Sequence, residues 1–257
     1  MHKKKAMTSE KASFVKLQGH RDAKYFAKLI GLENDYLNDP KAKKDVIDRS
    51  GDSYSVKSGE KKWQIFLYGK TRFEQDYSFK AMDGIGRLFL ECIECFPESF
   101  NEYQISKKLF KEKLQTPMIE LCVKLKNKNI LSSFFDKAIF NSGEVNYLAI
   151  KDKGKYHVFW SRDVVEIFVN NITVENSKAR YEGQMANQKV VFKIKGKTCG
   201  EIEMRNDSEI HYREIKFWLG KKNVVQLLSE KSTSIKKYGE EILIYGEAIK
   251  KFGKWNK

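Results

Sequence analysis

Asp45 and Lys57 are the two side chains whose types and spacing point most directly to chemistry. Asp45 lies in the run Lys44-Asp45-Val46-Ile47-Asp48 and Lys57 in Tyr54-Ser55-Val56-Lys57-Ser58-Gly59, with a Gly51-Asp52 turn between them. Both runs have the composition of short strands. Alternate residues of a strand point to one face, so Ser55 and Lys57 share a face, and a hairpin turn would bring Asp45 to it. A carboxylate beside an ammonium at a sheet edge suits metal-assisted phosphodiester hydrolysis. The carboxylate holds a divalent cation, usually Mg²⁺, and the ammonium orients water or takes up charge developing at phosphorus. The structural alternative is an exposed salt bridge worth about 0–1 kcal/mol. Gln64, within the apolar run Trp63 to Tyr68, is a lesser candidate, because a polar residue in such a strand either lines a site or satisfies a backbone group.

Stepping outward, the periodicity predicts a helix over 20–30, with Ala23, Phe26, Ala27 and Ile30 on one face. Three strands are expected at about 45–50, 53–58 and 62–68, forming a meander. Helical patterns follow over about 79–96 and 102–126, with a kink or boundary at Pro117. Strands are expected at 145–150 and 156–160, a helix begins after Ser161, and three further strands run over 189–194, 200–205 and 211–219. Helices are expected over 224–228 and 236–251. The fold class is therefore α/β in the mixed α+β sense. Residues 1–18 form a basic arm, 19–142 a core and helical region, and 143–257 a strand-rich lobe, with a single domain as the alternative.

The 257 residues carry 49 Lys and Arg against 34 Asp and Glu, a net charge of +15, with 41% apolar residues including 17 Phe and 12 Tyr. That much apolar content excludes a disordered tail, and the basic excess points to a polyanionic partner, with nucleic acid ahead of an uncommitted, merely solubilising basic surface and of an anionic membrane. The four cysteines do not form a disulfide framework, and Cys92-x-x-Cys95 lacks a second Cys/His pair for zinc. No signal-like or membrane-spanning apolar run is present, which predicts an intracellular, cytoplasmic protein. His20, His157 and His211 form no triad by spacing, and there is no nucleophile elbow or phosphate-binding glycine loop.

In the last lobe, Arg205, Asn206, His211, Tyr212 and Arg213 cluster around an expected strand pair. They are candidates for reading base edges in the major groove, with Lys193 and neighbouring lysines on phosphates. The alternative is a ladder of Glu201, Glu203 and Arg205 that braces a sheet.

The block around Asp45, Ser55-Val56-Lys57 and Trp63 to Leu67 resembles the PD-(D/E)xK nucleases, and among them the bacterial type II restriction endonucleases, over about residues 19–76. In that family a helix precedes a three-stranded meander. The resemblance implies a restriction-endonuclease-like core with a central mixed sheet flanked by helices, Asp45 as metal ligand and Lys57 as catalytic lysine. Ser55 stands where the family's second motif has an acid. Some members with Ser-x-Lys recruit a displaced glutamate, for which Glu74 or Asp76 is available, and Asp22 stands beside the helix position where a glutamate is common. The implied function is Mg²⁺-dependent, site-specific cleavage of double-stranded DNA in a bacterial restriction-modification system, with a homodimer as an option. The alternatives are a non-catalytic DNA-binding protein and a repair nuclease of the same fold.

Overall fold

The computed structural model describes residues 9–32, 37–205 and 208–253. It is a mixed α+β structure in which the chain divides into two compact units. The first is drawn from Met1–Trp63, Phe135–Asn170 and Lys221–Lys257, the second from Gln64–Phe134 and Asn171–Gly220. A division near residue 143 cuts the chain once, whereas these units interleave along it.

The first unit opens with helix α1 (Ser9–Leu29), so residues 9–18 of the expected arm are helical. Residues 1–8 lie outside the described part. Next come β1 (Leu37–Asp39), a 3-10 turn at Pro40–Ala42, β2 (Lys44–Ile47) and β3 (Ser53–Lys57), an antiparallel meander. The meander expected from the sequence has thus shifted one strand toward the amino terminus. The run β4 (Lys62–Tyr68) belongs to the other sheet.

Strand β5 (Tyr147–Asp152) lies parallel to β3 and turns tightly into β6 (Lys155–Trp160). Strands β12 (Ile242–Tyr245), parallel to β6, and β11 (Ile235–Tyr238) complete a seven-stranded sheet ordered β1-β2-β3-β5-β6-β12-β11. The helix expected over 236–251 is therefore a hairpin followed by the short α10 (Ala248–Lys251). Gly239 supplies a φ of 59° for its turn, and the run Ile242-Leu243-Ile244-Tyr245 has the β-branched and aromatic content of a strand. Helices α8 (Ser161–Asn171) and α9 (Lys221–Lys231) complete this unit.

One face of the seven-stranded sheet carries Val46, Tyr54, Tyr147, Ala149, Tyr156, Val158, Ile242 and Ile244. Against it lie Ala23, Phe26, Ala27 and Ile30 of α1, with Ala248 and Phe252 beyond them. These four α1 positions recur at helical spacing, so burying them fixes the rotation of α1 about its axis. Phe26 meets Tyr54 and Tyr156 at ring distances of 5.4 and 5.1 Å, and Tyr54 stacks on Tyr147 at 4.7 Å. Strand alternation sends Asp45, Ser55 and Lys57 to the opposite face.

The second unit has a five-stranded sheet ordered β4-β10-β9-β8-β7, with β7 (Ile172–Asn176), β8 (Lys189–Ile194), β9 (Lys197–Met204) and β10 (Ile215–Gly220). Its helices are α2 (Lys70–Gln75), α3 (Tyr77–Lys80), α4 (Ile85–Glu94), α5 (Phe100–Ile105) and α6 (Lys107–Leu125). Through α7 (Lys128–Phe140) the chain passes to the first unit. The helix expected over 79–96 is two helices separated at residues 81–84, and Pro117 lies inside α6. Phe66, Phe79, Phe89, Phe134 and Phe217 form an aromatic core, with Phe66 within 6.5 Å of the other four rings.

Candidate active site

The turn between β2 and β3 sets the geometry. Asp48 is buried, and its Oδ1 accepts from Ser50 N at 2.9 Å, Ser50 Oγ at 2.6 Å and Asp52 N at 3.1 Å, while Oδ2 accepts from Tyr54 Oη at 2.9 Å. Gly51 at φ 87° gives the turn a conformation that residues with a Cβ rarely adopt. This network fixes the register Val46 opposite Tyr54 and Ile47 opposite Ser53. By continuation it sets Asp45 opposite Ser55. Asp48 is thereby occupied as the brace of the turn.

Beyond that register the carboxylate of Asp45 takes over from the ladder. Its Oδ2 accepts from the Val56 backbone N–H at 2.7 Å and from Ser55 Oγ at 3.4 Å. Lys57 Nζ donates to Ser55 Oγ at 2.8 Å and lies 3.7 Å from Asp45 Oδ2. The ammonium is thus held more closely by the hydroxyl than by the carboxylate. Ser55 is fully buried, whereas the side chains of Asp45 and Lys57 remain 31% and 21% exposed. Asp45 Oδ1 has no hydrogen-bond partner among the described residues, so a partly exposed carboxylate keeps one oxygen open beside an ammonium that a buried serine holds.

Asp22 is brought to the same edge of the sheet by the other face. It is buried on α1 and accepts from Lys151 Nζ at 2.7 Å, at the carboxyl end of β5. Burial pushes its carboxyl up, but bonds from Lys151, Ser58 and Gln18 outweigh that and hold its pKa below the usual value. Lys151 is the residue the sequence reading did not single out. Its position at the end of a strand whose preceding residues are apolar was the available signal.

The remaining candidates stand elsewhere. Glu74 is on α2 of the second unit, exposed and 3.7 Å from Lys70. Asp76 accepts from Ser78 N at 3.1 Å as the cap of α3 and pairs with Arg72 at 3.2 Å. Gln64 is exposed on β4. Its expected choice between lining a site and serving a buried backbone group therefore does not arise from burial.

A hard divalent cation takes oxygen ligands, and Mg²⁺ commonly uses one or two carboxylates together with waters and substrate phosphate. Asp45 Oδ1 fits the single-carboxylate form of such a site. Among the described residues no group of three or more His, Cys, Asp or Glu side chains is arranged to hold a metal ion.

The expected reading surface in the second unit has a different character. Tyr212 is buried, stacks on Tyr103 at 5.7 Å and donates its hydroxyl to the carbonyls of Pro97, at 2.7 Å, and Glu98. It anchors the segment after α4, a packing role that accounts for its hydroxyl without a base edge. His211 Nδ1 lies 2.7 Å from Glu214 Oε2, and Arg213 is 3.5 Å from Glu98 with its Nε buried and unpartnered. Arg205 donates its backbone N–H to Glu214 O at 2.8 Å. Asn206 lies outside the described residues.

Lys193 pairs with Glu175. Lys189 bridges Glu201, at 3.0 Å, and Glu203, and Lys216 meets Glu203 at 2.7 Å. Burial pushes the Glu203 carboxyl up, yet Lys189 and Lys216 bring it below its ordinary value. The ladder that braces this sheet is thus made of lysines and glutamates, where the sequence suggested Arg205 as the basic member.

No family model matches this chain, no curated protein matches it, and no solved structure matches it. Among the described residues no helix is long and apolar enough to cross a membrane.

Proposed function

We propose that the protein is a Mg²⁺-dependent DNA endonuclease whose chemistry centres on Asp45 and Lys57. One observation carries this reading: a helix followed by a three-stranded meander sets Asp45, Ser55 and Lys57 on one face, within 3.7 Å of one another. The resemblance implies a helix followed by Asp45 and Lys57 on consecutive antiparallel strands, and they lie so on β2 and β3, although the strand over Lys62–Tyr68 that it also implies belongs to the other sheet. The net charge of +15 supports a nucleic-acid substrate.

Asp45 would hold the metal through Oδ1 while its Oδ2 stays tied to the Val56 N–H. The metal, when bound, supplies a polarised water and offsets phosphodiester charge. Lys57, steered by the buried Ser55 hydroxyl, sets a positive charge where the phosphorus centre becomes more negative. Site-specific cleavage in a restriction system is the specialised form of this activity, and repair is the neighbouring one. The Ser at position 55, in place of an acid, favours a second reading in which the same surface binds DNA without cutting it.

Digestion of supercoiled plasmid separates the two. The first reading expects cleavage with Mg²⁺, none with EDTA, and cleavage by Lys57→Ala or Asp45→Ala slowed by about 10²–10³. Intact plasmid under every condition, together with duplex binding in Ca²⁺, establishes the second.

A further inference from the structure

At the rim of the seven-stranded sheet beside Lys57, several lysines stand outside the ion pairs of that edge, and Glu241, whose carbonyl accepts from Tyr156 N, has its carboxylate held by the Tyr25 hydroxyl at 2.7 Å. Lys57 pairs in register with Ile150 of β5, and Ile150 with His157 of β6. The β5–β6 hairpin, which turns at Lys153-Gly154, therefore projects from the same edge as Lys57. Three ion pairs lie along this edge: Lys57 with Asp45, Lys151 with Asp22 at 2.7 Å, and Lys221 with Asp152 at 3.0 Å. The Lys221 N–H also bonds Lys61 O at 3.0 Å, which brings the 61 segment to the rim. Each rim carboxylate in these pairs is thus matched by a lysine. Lys61, Lys153, Lys155 and Lys222 remain exposed, with no ion pair among the described residues.

We propose that this rim is a track for the phosphates of one DNA strand, leading away from the Asp45 and Lys57 centre, with Lys153 and Lys155 of the hairpin as its principal contacts. The inference rests on the nuclease reading and names where its substrate lies. Two arguments favour a sugar-phosphate backbone as the occupant. Unpaired lysines at an edge repel one another and gain by displacing condensed counterions from a polyanion. From β3 to β6 the edge spans two strand spacings, roughly 10 Å, long enough to run beside more than one phosphate of a single strand. The His157 ring, on the same row, is held by the Tyr245 hydroxyl at 2.8 Å, and burial keeps its pKa below the ordinary value. It stays neutral at pH 7, so the charge of the track comes from its lysines.

The test is a salt titration of binding to a short random-sequence DNA duplex in Ca²⁺. The full chain is compared with a Lys153→Asn/Lys155→Gln variant and a Lys24→Gln/Lys28→Gln variant. Asn suits position 153, where φ is 47°. Lys24 and Lys28 are exposed on α1 and give a control of equal charge change. The expected result is a log affinity against log salt slope shallower by about 1.8 for the hairpin variant, two contacts at about 0.9 each, with the control close to the parent. An unchanged slope for the hairpin variant, or equal losses in both variants, overturns the track. Plasmid digestion by the parent protein distinguishes the two failures. Normal cutting with an unchanged hairpin slope removes the track alone, and a lost slope without cutting removes the nuclease reading alone.

Discussion

The Asp45 edge of the first unit and the Glu203 ladder of the second use the same residue types for opposite ends. In the ladder, Lys189 and Lys216 converge on Glu203, whose side chain is 16% exposed, so the charges are spent on one another. At the Asp45 edge the carboxylate binds a backbone N–H, the ammonium binds a serine hydroxyl, and the two charges meet only at 3.7 Å. Charges that are not fully spent internally can act on a ligand. Lysine and glutamate on alternating strand positions therefore say little until their partners are known.

The largest expected effect breaks the comparison at the first site. Lys57→Ala should lower the plasmid cleavage rate by about 10²–10³, equivalent to ~3–4 kcal/mol of lost charge stabilisation, with a melting temperature near that of the parent. A cleavage rate within threefold of the parent would remove Lys57 from the chemistry.

Glu203→Gln should do the reverse. It leaves Lys189 and Lys216 beside a neutral amide, and the expected loss is about 1–3 kcal/mol in urea unfolding, with cleavage by the folded fraction unchanged. The ladder also has a pH signature. The folded-state pKa of Glu203 lies below its unfolded value, so its stabilisation is present above the unfolded pKa and is lost as pH falls through the folded one. Asp22 has the same sign. Urea midpoints should fall on acidification below about pH 4.5, and the fall should be smaller in Glu203→Gln.

Tyr212→Phe is the smallest test. Loss of the hydroxyl bonded to Pro97 should cost about 1 kcal/mol of stability and leave the preference between duplex sequences unchanged. A variant that loses discrimination without losing stability would restore Tyr212 to the reading surface.

The pairing of Asp45 with Lys57 was legible because its determinants are local: two short alternating runs and a glycine turn. The identity of the third meander strand was not. The Trp63 to Tyr68 run has the same strand-like texture as β2 and β3, and texture does not specify which distant strand a segment joins. Its sheet neighbour, β10, comes after most of the chain has passed. Asp22 and Lys151 meet across a separation of 129 residues, which no spacing rule reaches. Tyr212 read as one donor among several because its neighbours are polar, but the rings of Phe100 and Tyr103, at 5.2 and 5.7 Å, decide its burial. The hairpin at 235–245 was hidden by lysines that suit a helix surface as well as an edge strand.

The interleaved path has a consequence for how the protein is made. Strand β6 ends at Trp160, and its parallel neighbour β12 begins only at Ile242. On a ribosome adding about 5–20 residues per second, β6 would wait roughly 4–16 s for that neighbour. Throughout that interval it offers unpaired backbone groups flanked by Tyr156 and Val158, the kind of edge that recruits strands from other chains. The lysines of β11, Lys236 and Lys237, blunt the finished edge, but they emerge well after β6 does. A nascent chain halted before Ile235 would carry this open edge without its guard.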